Sequence, residues 1–175
     1  GCLEGELNSR GGAYVAGYYS VTSHAAFGEV VGALPSGRRA GAPFSSGISP
    51  ASGHQRSGPT AALLSSAGLP LHLAPNGVNF NLELAPWAVA GEAGRRTLSS
   101  LIDGGMAAGC MQMQVNVLDP ALLIEARDHP GRYPGLLVRV SGYSAYFDDL
   151  TPEIKQEIID RTHYSSVGPP SGGRA

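Results

Sequence analysis

A glycine set among apolar residues is the position in this chain whose surroundings call most for a chemical explanation. In Arg139-Val140-Ser141-Gly142-Tyr143-Ser144-Ala145-Tyr146-Phe147, Gly142 is flanked by valine, tyrosine and phenylalanine. A solvent-facing turn is ordinarily more polar than this. Taken alone, the Gly-Tyr pair reads as a turn glycine with positive φ. In apolar surroundings, a glycine also marks backbone that another group must approach closely. Other residues capable of chemistry are sparse. Two cysteines, Cys2 and Cys110, form neither a disulfide framework nor a metal-ligand spacing. Cys110 follows a glycine and precedes an alternating run, the setting of a small core residue. The histidines (His24, His54, His72, His129, His163) stand singly, without the i+3 or i+4 partner that a metal site on a helix uses. No metal is expected.

The nonapeptide resembles the signature of the glycyl radical enzymes, the family that includes pyruvate formate-lyase. Further blocks agree with that family. Ala33-Leu34-Pro35-Ser36-Gly37-Arg38-Arg39-Ala40-Gly41 resembles its Ala-Leu-Pro-x-Gly-Arg-x-Ala-Gly motif, and Gly47-Ile48-Ser49-Pro50 and Gly58-Pro59-Thr60-Ala61 match the two blocks that follow. The resemblance runs from about Arg10 to Thr162. It implies that Gly142 stores a radical on its α-carbon. Such a radical delocalises into the flanking amide and carbonyl only if the α-carbon can flatten, which a side chain would resist and glycine permits. The radical also needs a dry, oxygen-shielded site, which the neighbouring Val, Tyr and Phe suit.

The resemblance also implies a partner thiol. In the family a cysteine thiyl radical abstracts the substrate hydrogen, and members that eliminate or decarboxylate carry Gly-Cys-x-Glu, with the glutamate as base or positioning carboxylate. Gly1-Cys2-Leu3-Glu4 matches that pattern at every specified position. In the family, however, a large part of the barrel separates this loop from the Arg-Gly-Gly motif, seen here at Arg10-Gly11-Gly12. Cys2 and Glu4 are therefore either the catalytic pair or a chance tetrapeptide, and both readings stand. If the pair is genuine, elimination or decarboxylation is favoured over acyl transfer, whose members use adjacent cysteines.

The loop needs elements to hold it. Leu136 to Val140 reads as a buried strand, and Thr151-Pro152 supplies an N-cap and first-turn proline for a helix burying Ile154, Ile158 and Ile159. Gly142 is thus expected in a tight loop between strand and helix, with the Arg139 guanidinium pinning loop carbonyls. Upstream, Tyr14 to Thr22 reads as a strand and Phe27 to Leu34 as a short apolar piece. The Gly/Pro/Ser-rich residues 35–53 would ordinarily be a linker, but the resemblance implies an ordered irregular segment. Thr60 to Ala67 reads as a helix stopped by Gly68 and Pro70. Val78 to Leu84 alternates as a half-buried strand. Leu98, Leu101 and Ile102 share a helical face. Met111 to Val117 alternates again, with Gln112, Gln114 and Asn116 on one face, where their amides can bond neighbouring backbone. Asp119-Pro120 starts a helix reaching about Asp128 that buries Leu122, Leu123 and Ala126.

Strands alternating with helices give an α/β class. By resemblance, this is the C-terminal portion of a ten-stranded α/β barrel with the glycyl radical loop inserted at its centre. Residues 1–44 then end the barrel domain, 45–164 form the glycine radical domain, and 165–175 are a disordered tail. Only 15% of residues are charged, against about 25% in soluble domains, which fits a piece of a larger buried assembly. The net charge of −2, with no basic run, excludes a nucleic-acid or membrane-surface role. No apolar stretch approaches a membrane span and no signal peptide opens the chain, and the two cysteines without a disulfide framework make a reducing cytoplasm the expected compartment.

The expectation is therefore the radical-bearing part of an anaerobic glycyl radical enzyme, a lyase or acyltransferase of formate acetyltransferase, diol dehydratase or arylacetate decarboxylase type. By resemblance its partners are a small-molecule substrate, a second copy in a full-length homodimer, and an activating enzyme. That activating enzyme uses S-adenosylmethionine and an iron–sulfur cluster to remove a hydrogen from Gly142, and no cofactor is bound by the chain itself. The alternative is a free-standing glycyl radical spare part that restores an oxygen-damaged partner.

Overall fold

Three apolar runs of the sequence become one parallel sheet. In the computed structural model, which describes residues 5–161 and 163–164, β1 (Asn81–Leu84) lies between β2 (Gln114–Val117) and β5 (His163–Tyr164), parallel to both. The register pairs Leu82 with Val115 and Glu83 with Asn116. Strands β1 and β2 are joined through α3 (Gly91–Ala107), the crossover that parallel pairing requires. Earlier in the chain come α1 (Ser23–Val30) and α2 (Pro59–Ala67), the latter starting on Pro59 and ending at Gly68. After β2, Asp119 accepts a hydrogen bond from the Ala121 N–H at 2.9 Å and caps α4 (Pro120–Asp128). An antiparallel hairpin follows, β3 (Leu137–Arg139) with β4 (Ser144–Tyr146), and then α5 (Pro152–Asp160) with Pro152 in its first turn. The mixed α/β class agrees with the sequence.

Among the described residues two larger apolar cores flank a polar seam, besides a small cluster of Leu71, Ala74 and Val78. Phe80, Leu82 and Leu84 pack with Ala62, Leu63, Leu101 and Cys110 against α2 and α3. Val138, Val140 and Phe147 pack with Ala25, Leu123, Ala126, Ile154 and Ile158 against α1, α4 and α5. Between them run the alternate side chains of β1 and β2. Here the sequence expectation needs correction. The alternation of β1 suggests one wet face, yet all four of its residues are buried, because the polar face is roofed by the hairpin and by the segment around Ser46 and Ser49 rather than by water.

Three other expectations change. Tyr14 to Thr22 is not a strand: only Tyr18 bridges, to Val78, while Tyr14, Val15 and Tyr19 stay exposed. Aromatic and β-branched residues favour a pleated surface only where a partner strand covers them. The piece from Phe27 begins inside α1, whose buried face is His24, Ala25 and Gly28, leaving Phe27 exposed. Finally, a second strand, β4, intervenes between the Gly142 turn and α5.

The Gly/Pro/Ser-rich stretch is ordered, as expected. Arg38 gathers it by donating to the carbonyls of Gly28, Val31, Gly32 and Ala42, and stacks 4.2 Å above the Phe44 ring. Among the described residues no helix is long and apolar enough to cross a membrane.

Candidate functional site

The hairpin turn is closed by a hydrogen bond from the Val140 N–H to the Tyr143 carbonyl at 2.9 Å. Gly142 occupies it with φ +81, a conformation in which an L side chain is strained. Space is not what excludes a side chain there, since a Cβ would meet only Asn79 Nδ2, at 3.9 Å. A side chain at Gly142 would therefore enter nearly open space.

Its neighbours, in contrast, are held tightly. Asn79 Nδ2 donates to Ser141 Oγ at 2.6 Å, and both residues are buried. Asn79 is fixed in turn by backbone: its carbonyl accepts from the Ile48 N–H at 2.9 Å and its N–H donates to the Tyr18 carbonyl at 3.2 Å. Gly47 makes that approach possible, because at φ +60 it lies so close that a Cβ would overlap the Asn79 carbonyl oxygen.

Below the turn, Arg161 sits just past the end of α5, 8% exposed. Nε donates to Glu157 Oε1 at 3.1 Å, and Nη2 donates to Glu157 Oε2 at 2.9 Å and to the Val140 carbonyl at 2.7 Å. Nη1 donates to Glu83 Oε1 at 3.0 Å and to the Arg139 carbonyl at 3.2 Å. Asn116 Nδ2 reaches the same two acceptors, at 2.9 and 3.3 Å. Glu83 Oε2 has no hydrogen-bond partner among the described residues, and it borders a cavity of about 40 Å³ lined by Ser46, Asn81, Glu157, Arg161 and Tyr164, large enough for an ordered water. On the far side of Glu157, His24 Nε2 lies 3.6 Å from Oε1. His24 Nδ1 shares a 3.2 Å contact with Ser20 Oγ, which accepts from the Gly47 N–H at 3.1 Å.

Burial acts most strongly on the Glu157 carboxyl and opposes its ionisation, but His24 and Arg161 outweigh it and hold the group below the usual carboxylate range. Burial likewise opposes the Arg161 charge and is overcome by Glu157 and Glu83. Burial alone pushes the Tyr164 hydroxyl up to about 12. The Glu157 shift has a sign that can be tested. A carboxylate whose folded pKa is depressed adds stability above its unfolded pKa, roughly 4.3 for Glu. That contribution is lost as the pH falls through the folded value. Amide exchange at Val138 and Val140 is therefore expected to lose protection as pH drops below about 4, after correction for intrinsic rates. Glu157→Gln should flatten that part of the profile.

The residues singled out from the sequence fare unequally. Cys2 and Glu4 lie outside the described residues, as does the tail at 165–175. Cys110 is buried in the α2/α3 core, its Sγ 3.1 Å from the Gln112 carbonyl, with burial pushing the thiol up. Gln112 bonds backbone as expected, accepting from the Phe80 N–H at 2.8 Å. Gln114 instead meets side chains, donating to Asn81 Oδ1 at 2.9 Å and accepting from Arg139 Nη2 at 3.0 Å. Arg139 does not pin the loop carbonyls. Its guanidinium spans Gln114 on β2 and Ser144 on β4, and Arg161 holds the carbonyls instead. Nor do the described residues bury the tip of the turn: Gly142 and Tyr143 are exposed, although Val138, Val140 and Phe147 pack against α1, α4 and α5 and Ser141 is tied to Asn79. Among the described residues no group of three or more His, Cys, Asp or Glu could hold a metal ion.

Residues 44–148, which include the whole hairpin, match the family model described as glycine radical. Formate acetyltransferase of Haemophilus influenzae is 39% identical over 155 residues, covering 85% of this chain and 20% of that protein. Among solved structures, the glycerol-bound B12-independent glycerol dehydratase of Clostridium butyricum superposes with a TM-score of 0.90 at 39% identity, over 93% of this chain and 21% of that one. A Roseburia inulinivorans structure described for 1,2-propanediol dehydration superposes with a TM-score of 0.89 at 45% identity, over 93% of this chain and 19% of that one. The chain thus spans about a fifth of the length of these relatives.

Proposed function

This chain belongs to the glycine radical family, and from that premise we propose that it is the radical-bearing C-terminal part of an anaerobic glycyl radical enzyme, with the stored radical on Gly142. In this reading residues 1–44 complete a ten-stranded barrel, 45–164 form the radical domain, and the hairpin projects into the barrel's centre. The observation that carries it is the hairpin tip: an exposed, positive-φ glycine with a free α-carbon, whose flanking residues are locked from below. The exposure is met by the rest of the enzyme, which closes over the tip and supplies the dry site that these residues alone do not.

The mechanism follows from what the chain's residues can do. A separate activating enzyme, with S-adenosylmethionine and an iron–sulfur cluster, removes one α-hydrogen from Gly142. Gly142 then takes a hydrogen atom from a cysteine thiol, leaving a thiyl that abstracts hydrogen from a small substrate, and the hydrogen is returned after bond cleavage. Cys2 and Glu4 are the candidates on this chain for thiol and carboxylate. If they serve, elimination or decarboxylation is favoured over acyl transfer. The protein's part is positioning and exclusion, since the radical supplies the reactivity.

The test is spectroscopic. The complete protein carrying this chain, activated anaerobically, is expected to give an electron paramagnetic resonance doublet from the one hydrogen left on Gly142. In Gly142→Ala the doublet should vanish. A doublet that survives the substitution would place the radical elsewhere.

A further inference from the structure

Gly142 is exposed, and the hydrogen bonds that fix the chain leading to it are made by Arg161 to the Arg139 and Val140 carbonyls and by Asn79 to Ser141. We propose that Arg161 is the positioning residue of the radical loop: gripped by Glu83 and Glu157, it fixes the Arg139 and Val140 carbonyls and so the place of the Gly142 α-carbon opposite the thiol it exchanges hydrogen with. The inference rests on the reading that Gly142 stores the radical.

The geometry is specific to a guanidinium. Arginine has five N–H donors in a planar fork, and all five are used here, three on carboxylate oxygens and two on successive carbonyls of the loop. The carboxylates come from rigid elements, Glu83 from the central strand β1 and Glu157 from the buried face of α5. The fork is therefore oriented from the scaffold and hands that orientation to the loop. Val140 is wedged from its other side, its side chain fully buried against Ile158, Val138 and their neighbours. Ser141 is then tied to Asn79, so each residue from 139 to 141 is fixed before the chain reaches the free glycine. A lysine at 161 would keep the charge between the carboxylates, but its three donors radiate from one nitrogen and cannot serve both carbonyls and both carboxylates.

Hydrogen exchange between Gly142 and the thiol can be read without a substrate. In D2O the thiol carries deuterium. When the glycyl radical takes that deuterium atom, sulfur becomes the thiyl and the α-carbon holds one hydrogen and one deuterium. When sulfur takes the hydrogen back, the radical returns to an α-carbon bearing deuterium, and the doublet collapses to a single line. The collapse rate per spin measures the relay, whereas a residue that only stabilises the fold changes the number of spins.

The experiment compares wild type, Arg161→Lys and Glu157→Gln in the complete protein, activated in H2O and transferred anaerobically to D2O. Arg161→Lys is expected to collapse on the order of 10- to 100-fold more slowly per spin, since a displacement of about 1 Å at a reacting centre costs up to about 10²-fold. Glu157→Gln, which loosens one side of the fork, should slow it several-fold in the same direction. An Arg161→Lys doublet that collapses at the wild-type rate overturns the proposal. If that variant fails to fold or takes up no spins, Glu157→Gln decides in the same way. A wild-type doublet that never collapses removes the relay and the proposal with it. The absence of any wild-type doublet is a different failure, that of the radical reading itself.

Discussion

Arg161→Met is expected to cost the region around the hairpin about 3–5 kcal/mol, the range found when one partner of a buried ion pair is removed. Methionine fills most of the space but leaves Glu83 and Glu157 buried without their cation. Glu83 already has one oxygen without a partner among the described residues, and would retain only Asn116 on the other. The Val140 carbonyl loses its 2.7 Å donor in the same step, while the Arg139 carbonyl keeps the weaker bond from Asn116. Because the loss is local, global unfolding is a poor measure, and amide exchange is a better one. Protection across Phe80–Leu84 and Leu137–Tyr146 should fall by about a hundredfold or more, each 1.4 kcal/mol being roughly tenfold. Adding Glu157→Gln to Arg161→Met should restore part of it by removing one stranded charge. A fall of less than about threefold would mean that water screens these carboxylates, as it does a surface pair, and that the seam is not the dry layer described above.

The sequence exposes the hairpin's identity but hides its support. Gly142 is legible because its apolar neighbours set it apart from an ordinary turn, and a residue without a Cβ is what the proposed backbone radical demands. The strand pair, the capped helices and the stop at Gly68 follow from period and propensity, which act locally, whereas α3 runs through Gly104 and Gly105 to Ala107. The support is non-local. Glu157 and Arg161 are four apart, the spacing of an ordinary surface ion pair, so the spacing alone does not signal burial. Yet Ile154, Glu157, Ile158 and Arg161 fall at i, i+3, i+4 and i+7, a single stripe. Two charges on the same stripe as two isoleucines must be buried with them, and a buried charge requires a partner. The polar positions of β1 carry the matching signal: Asn79, Asn81 and Glu83 alternate with residues certain to be core, and only tertiary packing decides that their own face is roofed too. Arg139 was the more conspicuous arginine because it adjoins the loop in sequence. Alternation turns its side chain away from the core that Val138 and Val140 enter and toward Gln114 and Ser144, so parity is a better guide to its role than proximity along the chain.

Brief air exposure of the activated protein is expected to cut the chain at one bond, between Ser141 and Gly142. A radical on a backbone α-carbon adds dioxygen there, giving a peroxyl centre whose breakdown severs the chain beside it. An ordinary α-carbon hydrogen is inert to dioxygen, so unactivated protein and Gly142→Ala should both stay whole. The site of the cut follows from where the spin rests, and its rate from access. Only Asn79 stands near where a Gly142 Cβ would be, at 3.9 Å, so the described residues offer dioxygen little resistance, and in the proposed reading the shield lies outside them. Cleavage should therefore track the number of spins lost, mole for mole, and release a C-terminal piece that begins at the remnant of Gly142 and carries β4 and α5. Loosening the loop through Arg161→Lys should leave the position of the cut unchanged, because the fork fixes where Gly142 lies and not which atom holds the spin. Mass spectrometry of activated and unactivated protein before and after exposure reads all of this at once. An intact chain after loss of the doublet, or a break at any other residue, would take the radical away from Gly142 and with it the reason this turn is built around a glycine.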